Sequence, residues 1–398
     1  MRRFPARTAL EFDVMKTGER EFQDMLPAAA AEKEAGVTHG IIESTAHGLI
    51  VLSPMAGRTG RRVLFVNNYG GREVWEKVKA GLVPPHHLWG CLQLVRMGYE
   101  VALAEPVPDF IPRRPLPHDL RLLRVVRSWL RKDDIVYCGH NVLYWIPFLR
   151  SIGLARRHIV SLLFALEPLD FSGAHSAIVA LTPTAETQAR TLAPKTKIAH
   201  LGWGVDPASY PRHPYQPRYL LHCGIAGRDF PTLHAASKLT AQPLRLIAHD
   251  YAKDLAWPSN VEVVDSGNGY NHEEKKVTFR ELVNVHYAGA AASVIITFAN
   301  PKKDHALGFT NLIEALVMGL PIIQTRTGAL ADEIDVEKAG CGIAVPPADP
   351  QAIAAAMETI MREPERARAM AAASRRLCES HYNIHRFARK LHELFESL

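Results

Sequence analysis

The sequence has no apolar run approaching the ~20 residues of a membrane-spanning helix. Its start, MRRFPARTALEFDVMK, carries basic residues but lacks the apolar core of a secretory signal. Cysteine is sparse: Cys91, Cys138, Cys223, Cys341 and Cys378 make an odd count, and no C-x-x-C pair exists. That speaks against a disulfide framework and for small buried thiols in a reducing compartment. A cytoplasmic protein is expected. The dinucleotide fingerprint G-x-G-x-x-G is missing, since the glycine turn reads Asn67-Asn68-Tyr69-Gly70-Gly71, and a nicotinamide enzyme is poorly supported. No RNA- or DNA-binding module appears, so no nucleic-acid partner is expected. His381 and His385 stand four residues apart with no third ligand near in sequence, so no metal is expected and an exposed helix face is the plainer reading.

The 398 residues exceed what one hydrophobic core usually supports, which makes two domains the starting expectation. Lysine and arginine outnumber aspartate and glutamate, 47 to 41. The surplus fits anionic ligands, nucleic acid or an acidic membrane surface, and selects none of them.

Residues 1–60 show a helical stretch at Leu26–Glu34, a short strand at Gly48–Leu52 and a break at Gly57–Gly60, and read as an extension of unknown role. From Arg62 the pattern is regular. Val63–Val66 is a strand, Asn67–Gly71 a turn, Pro85–Met97 a helix and Tyr99–Ala104 the next strand, a βαβ unit that implies a parallel sheet covered by helices. Alternation continues through helix His118–Lys132, strand Asp134–Cys138, helix Leu143–Ile152 and strands His158–Phe164, Ser176–Leu181 and Lys197–Leu201. The segment Asp206–Arg218 contains four prolines and no periodicity, and reads as a linker. A second block follows, with strands at Tyr219–Cys223, Leu244–Ala248, Val261–Val264, Val294–Phe298, Pro321–Gln324 and Gly342–Val345. Asp349–Pro350 gives a helix an Asp N-cap and a Pro first residue, and Ile384–Ser397 is a final helix. Two αβ blocks imply two lobes and a cleft, with ligands beyond the carboxyl ends of the strands.

One segment concentrates the chemistry. Val294–Phe298 leads through the polar loop Ala299–His305 to Gly308 and the helix Asn311–Met318. A helix N-terminus offers free N–H groups and the positive end of the dipole, which suits a phosphate, and glycine lets the backbone approach closely. The helix is apolar nearly all round except for Glu314. A buried glutamate costs several kcal/mol unless paired. It is either satisfied inside the protein, by an ion pair or a cap, or faces the hydroxyls of a ligand.

Glu314-Ala315, Met318-Gly319-Leu320-Pro321-Ile322-Ile323, Thr327-Gly328 and GALADEI, ending in Glu333 and Ile334, resemble the signature of the retaining GT-B glycosyltransferases. GCGIAVPPAD at 340–349, Gly204-Val205-Asp206, GIAGRDFPTL at 224–233, Gly70-Gly71 and MGYEV at 97–101 resemble further motifs of that family in the same order, over residues 61–398. The resemblance implies an α/β protein with two Rossmann-like doubly wound domains facing a cleft. It implies an extension at 1–60, an acceptor domain at 61–210, a nucleotide-sugar domain at 211–380 and a C-terminal helix at 381–398 crossing back to the first domain. It further implies a retaining, metal-independent transfer of sugar from a nucleoside-diphosphate sugar to a glycan, lipid or small molecule, with no cofactor beyond the donor. The missing D-x-D agrees with a reaction that bridges no diphosphate by metal.

By the same resemblance, Glu314 binds the donor ribose, and Gly308 with the amides of Phe309 and Thr310 holds the diphosphate. Arg228 is the cation on the leaving group, Gly70 and Gly71 lie against the donor phosphate, and His140 stands near the acceptor. Three departures stand out. The first glutamate of the family's pair falls at Ala306, where Asp304 or His305 are substitutes for contact with the donor sugar. The lysine that accompanies the arginine is replaced by Asp229-Phe230-Pro231. No histidine follows the fourth strand in Phe164–Asp170, where Glu167 is the one ionisable residue before Asp170. These departures keep open a non-catalytic GT-B protein that binds a nucleotide sugar or serves as a partner subunit, and an epimerase on the same fold. Arg113, Arg114, Arg121, Arg124, Arg127, Arg131 and Lys132 cluster around one helix. They form either a solvated face or a peripheral contact with anionic membrane on its cytoplasmic side, suited to a lipid-linked acceptor.

Overall fold

The computed structural model describes residues 38–104, 117–139, 142–163, 169, 171–224, 227–248, 252–253, 255–267, 276–299 and 306–398. Among the described residues, fourteen strands form two sheets. The first contains β1 (Ile41–Ala46), β2 (Leu49–Pro54), β3 (Arg62–Val66), β4 (Glu100–Leu103), β5 (Ile135–Cys138), β6 (His158–Leu163), β7 (Ala177–Ala180) and β8 (Lys197–His200), in the order β1-β2-β4-β3-β5-β6-β7-β8. The second contains β9 (Tyr219–His222), β10 (Leu244–Ala248), β11 (Val261–Asp265), β12 (Ala290–Ile295), β13 (Ile322–Thr325) and β14 (Gly342–Val345), in the order β11-β10-β9-β12-β13-β14. Beyond the β1–β2 hairpin, which is antiparallel to β4, every strand pair is parallel. Strand β5 (Ile-Val-Tyr-Cys) is buried at every residue, which is why it reads as a continuous apolar run instead of an alternating one.

Helix starts follow local chemistry. Thr182, Asp229, Asp349 and Asn383 each accept a backbone N–H from the third residue of the helix they open, and each such cap contributes about 1 kcal/mol. The helix Phe309–Met318 ends at Gly319 with φ 65°, and Leu320 N–H returns to the Ala315 carbonyl at 3.0 Å, a Schellman-type stop that only glycine enters without strain.

The elements differ from the sequence expectations in five places. Residues 41–54 are a hairpin built into the first sheet, so the boundary at residue 60 does not separate an extension from the domain there; β2 pairs with β4 through Ile50, Val51 and Leu52. The stretch Pro85–Met97 is broken into a 3₁₀ turn at Pro85–Leu88 and a helix at Cys91–Arg96, because Trp89 and Gly90 both take left-handed backbone. Three helices went unread: Gly71–Lys79, the short Gly328–Glu333, and the seventeen residues Pro364–Ser380. The strand expected at Val294–Phe298 runs at Ala290–Ile295, since its first residues are three alanines with little strand signature. His381 and His385 do not share a helix, for the chain turns between Ser380 and Ile384.

The chain passes between lobes more than once. Beyond the second sheet, the last helix, Ile384–Glu396, lies on Cys91–Arg96 of the first lobe. Its His392 and Glu396 meet the Tyr99 hydroxyl at 2.9 and 2.6 Å, and Arg61 donates to the Phe395 carbonyl. Val205 bridges Asn383 in the parallel sense, with Val205 N–H on the Tyr382 carbonyl at 3.1 Å and Ile384 N–H on the Val205 carbonyl at 2.8 Å. Gly204 stands at that crossing, where a Cβ would meet the Tyr382 carbonyl carbon at 2.1 Å and the Asn383 nitrogen at 2.4 Å. Both obstacles are backbone. Gly204→Ala is therefore expected to unseat the last helix and lower stability by about 2 kcal/mol or more, read as a lower urea midpoint.

Candidate functional site

The strand order of the second sheet reverses between β9 and β12: the chain runs outward through β10 and β11 on one side and through β13 and β14 on the other. Such a switch point opens a crevice at the carboxyl ends of the two central strands. Arg228 lies in it, 3% exposed. Its backbone forms an antiparallel bridge with Thr297 just past β12, flanked by Asp229 N–H to the Ile296 carbonyl at 3.0 Å and Phe298 N–H to the Gly227 carbonyl at 3.1 Å. Its Nε donates to the Cys223 carbonyl at 3.3 Å and its Nη2 to Asn311 Oδ1. Burial lowers the guanidinium below its usual value, which still leaves an arginine charged at neutral pH. Its positive field reaches His222 at the end of β9, whose imidazole burial first, and Arg228 second, push down to about 3.

Two glycines make room for this guanidinium. A Cβ on Gly224 (φ 101°) would sit 2.3 Å from Arg228 Nη2 and 2.4 Å from Asn311 Oδ1. Gly308 (φ 92°) is the N-cap of the helix Phe309–Met318, and its Cβ would lie 2.8 Å from Ile295 and 3.4 Å from Arg228 Nη1. A cation and a helix N-terminus thus share one crevice, an arrangement suited to a phosphate.

From Arg228 a buried polar chain runs inward. Asn311 Nδ2 donates to Cys223 Sγ at 3.1 Å, Cys223 Sγ meets the Tyr287 hydroxyl at 3.3 Å, and Tyr287 donates to Glu314 Oε2 at 3.1 Å. Tyr210 reaches Glu314 Oε1 at 3.4 Å. Asn311 and Glu314 share a helix face by their three-residue spacing. Tyr287 is delivered by a π-helix, Leu282–Tyr287, a rare form that recurs at functional sites. Burial pushes the Cys223 thiol up to about 12 and holds Tyr210 and Tyr287 well above the ordinary tyrosine range, with Glu314 adding to both. Every hydroxyl and thiol in the chain is therefore protonated at neutral pH.

The first sheet has its own switch point, between β3 and β5. Asn67 follows β3 and is 2% exposed. Its Oδ1 accepts the Asn68 N–H at 2.8 Å, and its Nδ2 is buried without a hydrogen bond. Gly139, past β5, is held to glycine because a Cβ would lie 2.5 Å from Asn67 Oδ1. Gly71 N–H goes to the Ala104 carbonyl at 3.0 Å and opens the helix Gly71–Lys79. Aromatic rings connect the two switch points. Trp89 Nε1 donates to the Tyr69 hydroxyl, Trp89 stacks on Trp203 at 4.2 Å, and Trp203 meets Phe309 edge-on at 6.2 Å.

The structure brings Arg228, Gly308 and the start of the Phe309–Met318 helix together, and places Gly70 and Gly71 at the other switch point. Phe309 enters differently from expectation: its ring is 4% exposed among the interlobe rings and its N–H is already given to the Ala306 carbonyl at 3.1 Å. Thr310 stays half-buried at the helix start. Glu314 is 5% exposed with an oxygen on each of two tyrosines, so satisfaction inside the protein, one of the two readings open from sequence, is present. His140, Asp304, His305, Glu167, Arg113 and Arg114 lie outside the described residues. Sequence reasoning missed Asn67, Tyr210, Cys223, Tyr287 and Asn311. Only Asn311 carried a local signal, as a polar residue one turn before Glu314 on the same face.

The family model described as "Glycosyl transferases group 1" matches residues 297–377. In fold, the chain resembles a sucrose-phosphate synthase from Thermosynechococcus elongatus (TM-score 0.63, 14% identity, 85% of this chain and 98% of that one). It is similar to HepE from Anabaena (0.57, 15%, 85% and 100%) and to a UDP-forming α,α-trehalose-phosphate synthase from Burkholderia vietnamiensis (0.57, 12%, 85% and 99%). The chain has the GT-B fold, and residues 297–377, in its second lobe, match the group 1 glycosyltransferase model. The resemblance read from the sequence is borne out in fold and in that domain. No curated protein matches the chain in sequence.

The group 1 domain accounts for more of the crevice. Thr297, Thr325 and Thr327, at the ends of β12 and β13, join hydroxyls at 2.9 and 3.0 Å beside Arg228. Its Glu333, 3% exposed in the side chain, fastens the lobes: Oε2 meets His200 Nε2 at 2.8 Å and Oε1 accepts from the Tyr382 hydroxyl at 3.1 Å. Among the described residues no helix is long and apolar enough to cross a membrane.

Two predictions follow from these contacts. Tyr287→Phe removes the hydroxyl shared by Cys223 and Glu314 and is expected to lower stability by about 1–2 kcal/mol, measured by urea unfolding. The Glu333 hydrogen bond, opposed by burial, raises His200 above its ordinary value of 6.5. A raised histidine contributes stability that is fully present below its unfolded pKa and lost as pH rises through the folded one. The unfolding midpoint of the parent protein should thus fall more between about pH 6 and pH 8 than that of His200→Gln; parallel pH profiles would show that this contact does not titrate.

Proposed function

We propose that this glycosyltransferase moves a sugar from a nucleoside-diphosphate sugar to an acceptor with retention at the anomeric carbon, and that it uses no metal. The observation that carries this reading is the buried Arg228 guanidinium, fixed by Cys223 and Asn311 next to Gly308 at a switch point. A preorganised cation there stabilises the charge that develops on the leaving diphosphate, a task a metal ion performs in other sites. The acceptor hydroxyl attacks the anomeric carbon on the face that the diphosphate leaves. The carbon–oxygen bond to the diphosphate breaks, and a diphosphate oxygen takes the acceptor's proton. No side-chain nucleophile takes part.

In this reading Gly308 and the Thr310 amide hold the diphosphate, Glu314 binds the ribose, and Gly70 and Gly71 lie against the phosphate from the first lobe. Asp304 and His305 contact the donor sugar and His140 the acceptor. HepE from Anabaena is solved with UDP-glucose, which makes a uridine donor the first to test. The acceptor is a glycan, a lipid or a small molecule. Arg121, Arg124 and Arg127 are exposed on the helix Pro117–Ser128, and a peripheral contact with anionic membrane would bring a lipid-linked acceptor within reach.

One observation favours a second reading. Ala306 stands where the family's first glutamate falls, half-buried and packed on the apolar core. A methyl group there makes no hydrogen bond to a sugar, which suits a chain that binds the nucleotide without transferring.

Donor panels separate the two by calorimetry and by release of nucleoside diphosphate. Arg228→Ala should cut turnover roughly 10²–10³-fold with a smaller loss of binding. Glu314→Ala should weaken donor binding roughly tenfold or more. Unchanged release in both variants would sink these assignments, and binding without release in the parent protein favours the second reading.

A further inference from the structure

At the amino-terminal edge of the first sheet, opposite the edge that carries Asn67 and Gly139, the chain leaves an open pocket of about 790 Å³. That lies within the range of about 300–1,000 Å³ typical of small-molecule sites. The turn after the helix Trp145–Ser151 supplies one wall, with Arg150 and Arg156. The 3₁₀ turn Ser172–Ala174 and its flanks supply the other, with Phe171, Gly173 and His175.

Among the described residues, no carboxylate lines this pocket. Arg150 is held in place by donating Nη1 to the Arg157 carbonyl. Arg157 itself donates to the Leu130 carbonyl at 3.0 Å, and its Nε is buried without a hydrogen bond. His175 is fixed by Ser161 Oγ at 2.8 Å. Phe171 is fixed by Tyr144 and Phe148, with centroids at 5.1 and 5.7 Å. Gly153 and Gly173 leave open space where side chains would stand. The anchored Arg150 guanidinium loses little entropy on engaging an anion, and guanidiniums match phosphoryl oxygens in pairs. Just outside, Ile152 and Leu154 are 52% and 70% exposed.

We propose that this pocket is a second ligand site, for a phosphate monoester or diester carrying an apolar or flat group, with Arg150 and Arg156 on the phosphoryl oxygens and Phe171 against the apolar part. It is separate from the donor crevice, which lies in the other lobe. The same chemistry comes either from a soluble phosphorylated molecule or from an anionic lipid headgroup, and Ile152 and Leu154 matter only in the second case.

Phenyl phosphate titrated into the full chain and followed by ³¹P line broadening probes the soluble case. Sedimentation with phosphatidylcholine vesicles, with and without phosphatidylglycerol, probes the lipid case. Arg156→Glu is the informative variant because Arg156 is exposed, and its melting temperature should match that of the parent. It is expected to weaken at least one of the two probes tenfold or more. The exposed Arg368→Glu, as a control for net charge, should leave that probe unchanged. Loss of phenyl phosphate binding in Arg156→Glu, with Leu154→Ser unaffected, supports a soluble ligand. Loss of binding to phosphatidylglycerol vesicles in both variants supports a headgroup. The proposal is overturned if neither probe binds, or if Arg156→Glu binds both as the parent does. It is also overturned if Arg368→Glu loses as much as Arg156→Glu.

Discussion

Between β9 and β12 the second sheet turns its strand order around, and the crevice this leaves is filled by the side chain of Arg228. A guanidinium under a parallel sheet must find acceptors in fixed directions, because no bulk water supplies them. The Cys223 carbonyl and the Asn311 side chain answer that demand. Much else follows. Cys223 must follow β9 with its carbonyl toward the guanidinium, Asn311 must stand in the first turn of the helix, and Gly224 and Gly308 must lack side chains. Cation, helix N-terminus and hydroxyl cluster then meet at one place, although they come from four separate stretches of chain.

The same constraint explains how a glutamate survives in an apolar helix. Glu314 is reached from Arg228 through Asn311, Cys223 and Tyr287, and is closed off by Tyr210. Within a low-dielectric interior each of these bonds is stronger than in water, and each unpaired member would be more costly. The carboxylate therefore has a structural role whether or not a ribose also reaches it. In the proposed reaction, the group that binds the donor and the group that meets the leaving diphosphate are parts of one hydrogen-bonded chain.

The lobes are coupled as firmly as they are joined. Trp89, Trp203, Phe309 and Tyr382 make a seam of rings between them, and Glu333 ties His200 of β8 to the crossing at Tyr382. Phe309 belongs to both the seam and the first turn of the helix behind Gly308. The seam therefore ties the helix behind Gly308 to the first lobe, which suits the proposed reaction, with donor and acceptor on different lobes.

The alternation of strand and helix, the proline-rich linker and the order of short motifs were all legible along the chain, because hydrophobic period, caps and turns are local properties. Gly308 and Glu314 stood out for the same reason: each breaks a local pattern. Of the hairpin at 41–54 only the second strand was legible, as Gly48–Leu52, because its place in the sheet is set by pairing with β4. Tyr210, Cys223 and Tyr287 looked like ordinary core residues, and nothing near them in sequence announces a carboxylate. Which hydroxyls meet Glu314, which glycines stand aside for Arg228 and which rings join the lobes depend on contacts between residues tens to hundreds of positions apart. Packing alone brings those together, so only the tertiary structure decided them.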